Sequence, residues 1–145
     1  MTTVAWDGKM LAADRRATSQ GMAYEVCKLH RTPDGRLLAG AGYAGLIGRM
    51  FAWLDNPERD WNARPAEQAS DDYVFIIEIT TAAEIRLHGR YGEETTTSPF
   101  TASGSGRDYA MAAMACGKTA AEAVEIAARF DIGTGGGVDT LTLGA

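Results

Sequence analysis

Residues 2–18 read TTVAWDGKMLAADRRAT, and this stretch decides the fold. Two short runs, TTVAW and KMLAAD, flank Asp7-Gly8, a pair suited to the positive backbone angles of a tight primed turn. The chain is therefore expected to open with a β-hairpin. A second hairpin is expected next, from YEVCKLHR and RLLAGAG joined at Pro33-Asp34-Gly35.

Working outward, Leu46, Ile47, Met50, Phe51 and Leu54 recur at helical spacing, which predicts an amphipathic helix over 44–54. Pro57 lies just past its end. Residues 55–71 are polar, carry Pro57 and Pro65, and read as a loop or short irregular helix. Two strand-like runs follow, DYVFIIEI and AEIRLHGR, with a turn near Thr81; GEETTTSP reads as a loop. After Ser103-Gly104-Ser105-Gly106 the segment DYAMAAMACG is expected to be helical. Thr119 and Glu122 form a capping box before AAEAVEIAARF. A glycine-rich turn and a last strand, VDTLTL, close the chain. Strands paired as hairpins with helices grouped apart argue for an α+β fold with antiparallel sheets, not a βαβ array.

The 145 residues predict one domain over 1–145, 46% of them hydrophobic and 23% charged, an ordinary globular balance. A net charge of −5 without a long basic run argues against nucleic-acid binding. No apolar stretch reaches the roughly 18 residues of a membrane span. The N-terminus lacks the basic and apolar regions of a secretory signal. Cys27 and Cys116 are too few for a disulfide framework or a zinc site, so no metal is expected and a reducing cytoplasm fits best.

The chemistry begins at Met1-Thr2. Thr2 is small enough for initiator-methionine removal to be expected, which would expose an α-amine with a pKa near ~8. Such a residue carries nucleophile and base together. Asp14 ends the second strand and Lys28 lies on the third. A lysine beside the amine depresses its pKa, and the aspartate holds the lysine as an ion pair. Taken alone, the two also fit a plain cross-strand surface pair.

The pattern TTVAWDGKMLAADRRAT, VCKLHR, RLLAGAG, ASGSGRDYAMAA and DIGTGGGVDTLTL is similar, in order, to the motifs of proteasome β subunits and HslV. These are N-terminal-nucleophile (Ntn) threonine peptidases. The resemblance implies a four-layer αββα sandwich. It makes Thr2 the nucleophile, Asp14 and Lys28 its supporting pair, and places Ser105 near the Thr2 amine. Asp131 and Thr134 complete the amine's hydrogen-bond network, with Thr134 where the family commonly has serine. Gly40 aligns with the backbone N–H that binds the oxyanion, a contribution on the order of 3 kcal/mol. The family also implies peptide or unfolded-protein substrates, a homo-oligomeric ring with an inner chamber, no organic cofactor, and an ATPase unfoldase as a partner. HslV has a second long helix where this chain has residues 55–71, which puts the unfoldase-docking surface in question. A non-catalytic subunit is the alternative, and a retained Met1 would favour it.

Other readings are weaker. Gly40-x-Gly42-x-x-Gly45 matches a dinucleotide fingerprint, but the acidic strand end required about 20 residues on is replaced by PERDWNARP. Gly135-Gly136-Gly137 lacks the Lys-Ser/Thr of a phosphate loop and reads as a turn. His30 and His88 are expected to be exposed strand residues. Trp6, Trp53 and Trp61 read as core or interface area, and Met111 and Met114 as helix core filler.

Overall fold

The computed structural model describes residues 2–66 and 73–144. Strands β1 (Thr3–Trp6) and β2 (Met10–Asp14) form the first hairpin. Asp7 N–H donates to the Met10 carbonyl at 3.2 Å, in register with Trp6 opposite Leu11, so the two turn residues are Gly8 and Lys9 and not Asp7 and Gly8. Gly8 takes the positive φ of 98°, and the Asp7 carboxylate accepts from the amides of Lys9 and Met10, each at 2.8 Å. Its other oxygen accepts from Ala120 N–H at 2.7 Å, helping to cap a helix more than a hundred residues away.

The hairpin continues into β3 (Arg16–Ser19) and β4 (Met22–Glu25), which pair only with each other. The expected YEVCKLHR strand is thus split: its first part belongs to β4, and only Leu29–Arg31 forms β5 against β6 (Leu37–Gly42). Helix α1 spans Ala44–Leu54, as the periodicity predicts. One 3-10 turn, Trp61–Ala63, follows; the end of the predicted 55–71 loop lies outside the described residues. Strands β7 (Val74–Ile79) and β8 (Ile85–Gly89) form the next hairpin. The expected loop GEETTTSP instead contributes β9 (Gly92–Thr96), paired along β8. A short strand, β10 (Thr101–Gly104), precedes α2 (Arg107–Ala115) and α3 (Ala120–Phe130). The Thr119 hydroxyl accepts from Glu122 N–H at 3.2 Å, as the capping motif requires. β11 (Val138–Thr142) is last.

The strands make two main sheets, ordered β10-β1-β2-β11 and β5-β6-β7-β8-β9, antiparallel throughout. Period-two alternation sorts the side chains into layers. Val4, Trp6, Leu11 and Ala13 face Leu37, Ala39, Ile77 and Ile79 between the sheets. On the opposite face of the first sheet, Ala5 and Ala12 pack with Ala120, Ala123 and Val124 of α3; small residues on both sides allow close approach. On the outer face of the second sheet, Leu38, Val74 and Ile76 meet Leu46, Met50 and Leu54 of α1. The result is the expected α+β, four-layer αββα sandwich. Each fully buried leucine, isoleucine, valine or methionine among these contributes roughly 1.5–3 kcal/mol.

Candidate active site

Thr2 stands at the head of β1, and its side chain meets the end of β2. Lys28, immediately before β5, sends Nζ to Thr2 Oγ1 at 2.9 Å and to Asp14 Oδ1 at 2.7 Å. All three are buried, with relative exposures of 5%, 7% and 1% for Thr2, Lys28 and Asp14. Asp14 is satisfied on both oxygens: Oδ1 also accepts from Thr3 N–H at 3.0 Å, and Oδ2 from Arg16 N–H at 3.2 Å and Gly135 N–H at 3.0 Å. Such a carboxylate fixes the ammonium in place. Burial is the largest influence on Lys28 and lowers its pKa from the ordinary lysine value. The hydrogen bond and charge of Asp14 oppose this without cancelling it, and Arg16 adds to the lowering.

On the other side of Thr2, its backbone N donates to Ser105 Oγ at 3.2 Å. Ser105 Oγ donates to Asp131 Oδ2 at 2.6 Å, and Thr134 Oγ1 donates to the same oxygen at 2.5 Å. Partial burial works against the Asp131 carboxylate, but the hydroxyls of Ser105 and Thr134 outweigh it and hold the group below the usual aspartate range. Asp131 sits at the C-cap of α3, which fixes its distance from the β10–α2 corner.

The Gly-Ser-Gly sequence has a steric cause. A Cβ on Gly104, whose φ is +97°, would lie 2.0 Å from the Thr2 carbonyl oxygen. One on Gly106 would lie 2.0 Å from Thr3 Oγ1. Only glycine on both sides of Ser105 lets this corner close on Thr2.

Of the residues expected at the site, Thr2, Asp14, Lys28, Ser105, Asp131 and Thr134 form one continuous hydrogen-bonded cluster. Gly40 is the exception. Its N–H donates to the Lys28 carbonyl at 3.2 Å, as part of the sheet, so it is not turned toward an incoming oxyanion. Amides alternate sides along a strand, and Tyr43 N–H bonds across to Tyr73 O at 2.7 Å. Gly42 N–H therefore faces the same side as Gly40 N–H, one step beyond the Lys28 carbonyl. The sequence reading did not name Gly42. It missed Thr3 as well, whose Oγ1 lies 2.7 Å from Thr134 Oγ1. Arg16 is a third omission: its Nη1 donates to the Ile132 carbonyl at 3.0 Å. A flag for Gly42 was available in the sequence, because AGAG ends a strand where a helix opens.

The histidines depart from expectation. His88 is fully buried, with Nε2 2.8 Å from Glu78 Oε1. His30 is half-buried, 2.7 Å from Asp55 Oδ1 and stacked on Phe51. Met111 is 36% exposed and so is not core filler, whereas Met114 is buried.

An αββα sandwich with the first strand's threonine at the centre of a Lys-Asp and Ser-Asp-Thr network defines the Ntn-hydrolase fold. No family model matches the chain. Proteasome subunit beta 1 of Thermococcus onnurineus is 29% identical over 177 residues, covering 97% of this chain and 85% of that protein. Proteasome subunit beta 1 of Thermococcus kodakarensis is 27% identical over 172 residues, again covering 97% and 85%. Among solved structures, Thiobacillus denitrificans BPH in complex with epoxomicin superposes with a TM-score of 0.70 at 19% identity, covering 99% of each chain. Eukaryotic HslV from Trypanosoma brucei gives 0.71 at 19%, covering 97% of each. The chain is thus similar in sequence to proteasome β subunits along nearly its whole length, and it shares the Ntn-hydrolase fold of these solved structures.

Proposed function

We propose that this chain is an N-terminal threonine peptidase, active once Met1 has been removed. The observation that carries the reading is the position of Thr2 Oγ1, 2.9 Å from a lysine that is itself locked to buried Asp14. While Met1 is attached, Thr2 N is a peptide amide and cannot act as a base. After removal, the same nitrogen is an α-amine beside Ser105.

In the mechanism, Thr2 Oγ attacks the scissile carbonyl and the α-amine accepts the hydroxyl proton. Gly42 N–H, not Gly40, stabilises the oxyanion. The tetrahedral intermediate collapses, the amine gives its proton to the leaving peptide nitrogen, and an ester remains on Thr2. Water, deprotonated by the same amine, hydrolyses the ester and frees the enzyme. Lys28 keeps the Thr2 hydroxyl oriented and disfavours a second cation at the amine. Asp131, through Ser105, orients the amine.

Peptides or unfolded protein are the substrates, cleaved inside a homo-oligomeric ring in the cytoplasm. The resemblance and the relatives named proteasome subunit beta support the ring, and the two free thiols, Cys27 and Cys116, fit a reducing compartment. An ATPase unfoldase is the partner class. The 3-10 turn at Trp61–Ala63 argues that its docking surface differs from one built on a long second helix. An inactive subunit is the second reading, favoured only by a retained Met1.

The test is a peptide α′,β′-epoxyketone. Thr2 Oγ should add to the ketone and the α-amine should open the epoxide, closing a ring on one residue. Peptide mapping should find a single adduct, on the peptide beginning Thr2-Thr3-Val4. An adduct on Ser105, Cys27 or Cys116, or none on a sample with measurable peptidase activity, would show the catalytic class to be wrong.

A further inference from the structure

Two adjoining clefts open on the outer face of the second sheet and share no residue with the Thr2 cluster. One, of about 260 Å³, is lined by Trp53, Pro57, Arg59, Trp61, Arg86 and Glu93. The other, of about 270 Å³, shares Pro57, Arg59 and Arg86 and adds Asp34, Arg36, Thr80 and Thr81. On a chain of net charge −5 they concentrate arginine: three against one aspartate in the second cleft, two against one glutamate in the first.

The sheet explains why one of these arginines lacks a counterion among the described residues. Along β8, Ile85 and Leu87 face the inter-sheet core, so Arg86 and His88 face the α1 side. The register sets Arg86 directly opposite Glu78, the position of a cross-strand ion pair. Glu78 is already taken: Oε2 accepts from Arg36 at 2.6 Å, and Oε1 lies 2.8 Å from His88. The Arg86 side chain, on a half-buried residue, makes no hydrogen bond or ion pair with any described residue. Arg59 stands nearby with its guanidinium 4.9 Å above the Trp53 ring and a loose 3.8 Å approach to Glu93. A half-buried guanidinium with an open fork binds planar or tetrahedral oxyanions bidentately.

We propose that Arg86 and Arg59 form an anion site, taking a phosphate or carboxylate group, on the face away from Thr2. At about 30 Å³ per water, either cleft has room for such a group together with part of its hydration shell. The acids of the two clefts are Glu93, loosely approached by Arg59, and Asp34, already bound to Arg36, which leaves Arg86 as the stronger of the two anion ligands. Arg36, held by Asp34, Glu78 and the Leu54 carbonyl, serves as a fixed wall.

The experiment is isothermal titration of the full chain at low salt, with inorganic phosphate and, separately, with succinate. At least one should give a saturable 1:1 heat. Affinity should fall by about tenfold or more in R86Q, as for loss of a charged hydrogen-bonding partner, and by less in R86K, which keeps the charge. It should be unchanged in R129Q, a variant at an exposed α3 position. Equal binding by R86Q and the unmodified chain, or no saturable heat from either anion, would overturn the proposal. R86K, with a cation of similar length, keeps the comparison open should R86Q fold poorly. None of these readouts depends on the reactivity of Thr2, so this site and the peptidase reading stand or fall separately.

Discussion

Lys28 Nζ donates to Thr2 Oγ1 at 2.9 Å from a side chain that is almost wholly buried. Burial is costly for an ammonium, and it is tolerated here because Asp14 accepts from the same nitrogen at 2.7 Å. Removing the lysine therefore has two separable effects. Lys28→Ala should lower kcat/KM roughly 10²–10⁴-fold, the range for loss of a positioned proton-transfer aid. It should also lower stability, toward the low end of the roughly 3–5 kcal/mol seen when a buried pair loses one partner. Three backbone amides still donate to Asp14, which is why the low end is expected. Peptidase assays and denaturant unfolding, run on one sample, check both. Near-normal turnover in Lys28→Ala would show that the lysine has been given the wrong role.

Gly40 and Gly42 make opposite predictions. A Cβ on Gly42 would sit 2.2 Å from the Tyr73 carbonyl oxygen, at a φ of +121°. The obstacle is backbone, so Gly42→Ala must shift the strand end and its N–H. A Cβ on Gly40 would meet the Ile47 Cγ2 methyl at 2.5 Å, a side-chain obstacle, so the strain falls on the packing of α1 and not on the strand backbone. Gly40→Ala should cost about 1–3 kcal/mol of overpacking with kcat little changed. Gly42→Ala should lose about 10²-fold or more in kcat, the scale for a missing oxyanion donor. If kcat falls in Gly40→Ala and holds in Gly42→Ala, the oxyanion donor has been misplaced.

Much of this site was legible in the chain because its residues lie in short segments that repeat the family's order. The 3.6-residue period of Leu46, Met50 and Leu54 and the Thr119 cap also made α1 and α3 readable. What escaped was set by long-range pairing. β9 reads GEETT because it is an edge strand with no partner beyond it, so no hydrophobic alternation marks it. β3 and β4 pair only with each other, and β4 is exposed along its whole length, leaving no burial pattern to see. His88 alternates with core-facing Leu87 and so reads as exposed. The α1 layer and Glu78, ten residues earlier, bury it instead. Gly40 was assigned from alignment of an AG-rich strand end. Only the register shows which of its two glycine amides bonds to Lys28.

Glu78 predicts an acid limit to stability. Burial alone would raise its pKa, but hydrogen bonds from His88 and Arg36 carry it from 4.5 down to about 2. A carboxyl depressed on folding contributes stability that is fully present above its unfolded value. That contribution is lost as pH falls from about 4.5 toward 2. The shift corresponds to on the order of 3 kcal/mol. Unfolding free energies measured between pH 6 and 2 should fall over that window, and the fall should be shallower in Glu78→Gln. That variant will itself be less stable at neutral pH, since Arg36 loses its charged partner. Parallel pH profiles for the two proteins would show that Glu78 does not control the acid limit.

The last prediction concerns the N-terminus. Thr2 N lies 3.2 Å from Ser105 Oγ, which donates in turn to Asp131 at 2.6 Å, so a geometry suited to orienting an amine is in place. An amide nitrogen has no basic lone pair, so with Met1 attached Thr2 N cannot take the proton of its own hydroxyl. Activity should therefore track processing. Intact mass of active protein should correspond to a chain beginning at Thr2, and a form carrying a non-removable residue ahead of Thr2 should be folded but inactive. The same logic sets the pH dependence. The amine must be unprotonated to accept the proton, so turnover should rise with pH through the region where an α-amine titrates, ordinarily near ~8, and then level off. Thr2→Ala should abolish turnover at every pH without changing the melting temperature by more than a few degrees, because it removes one hydroxyl from a cluster that Asp14 still anchors. Full activity from a sample whose mass shows Met1 retained on every chain would remove the α-amine from the mechanism and require another base.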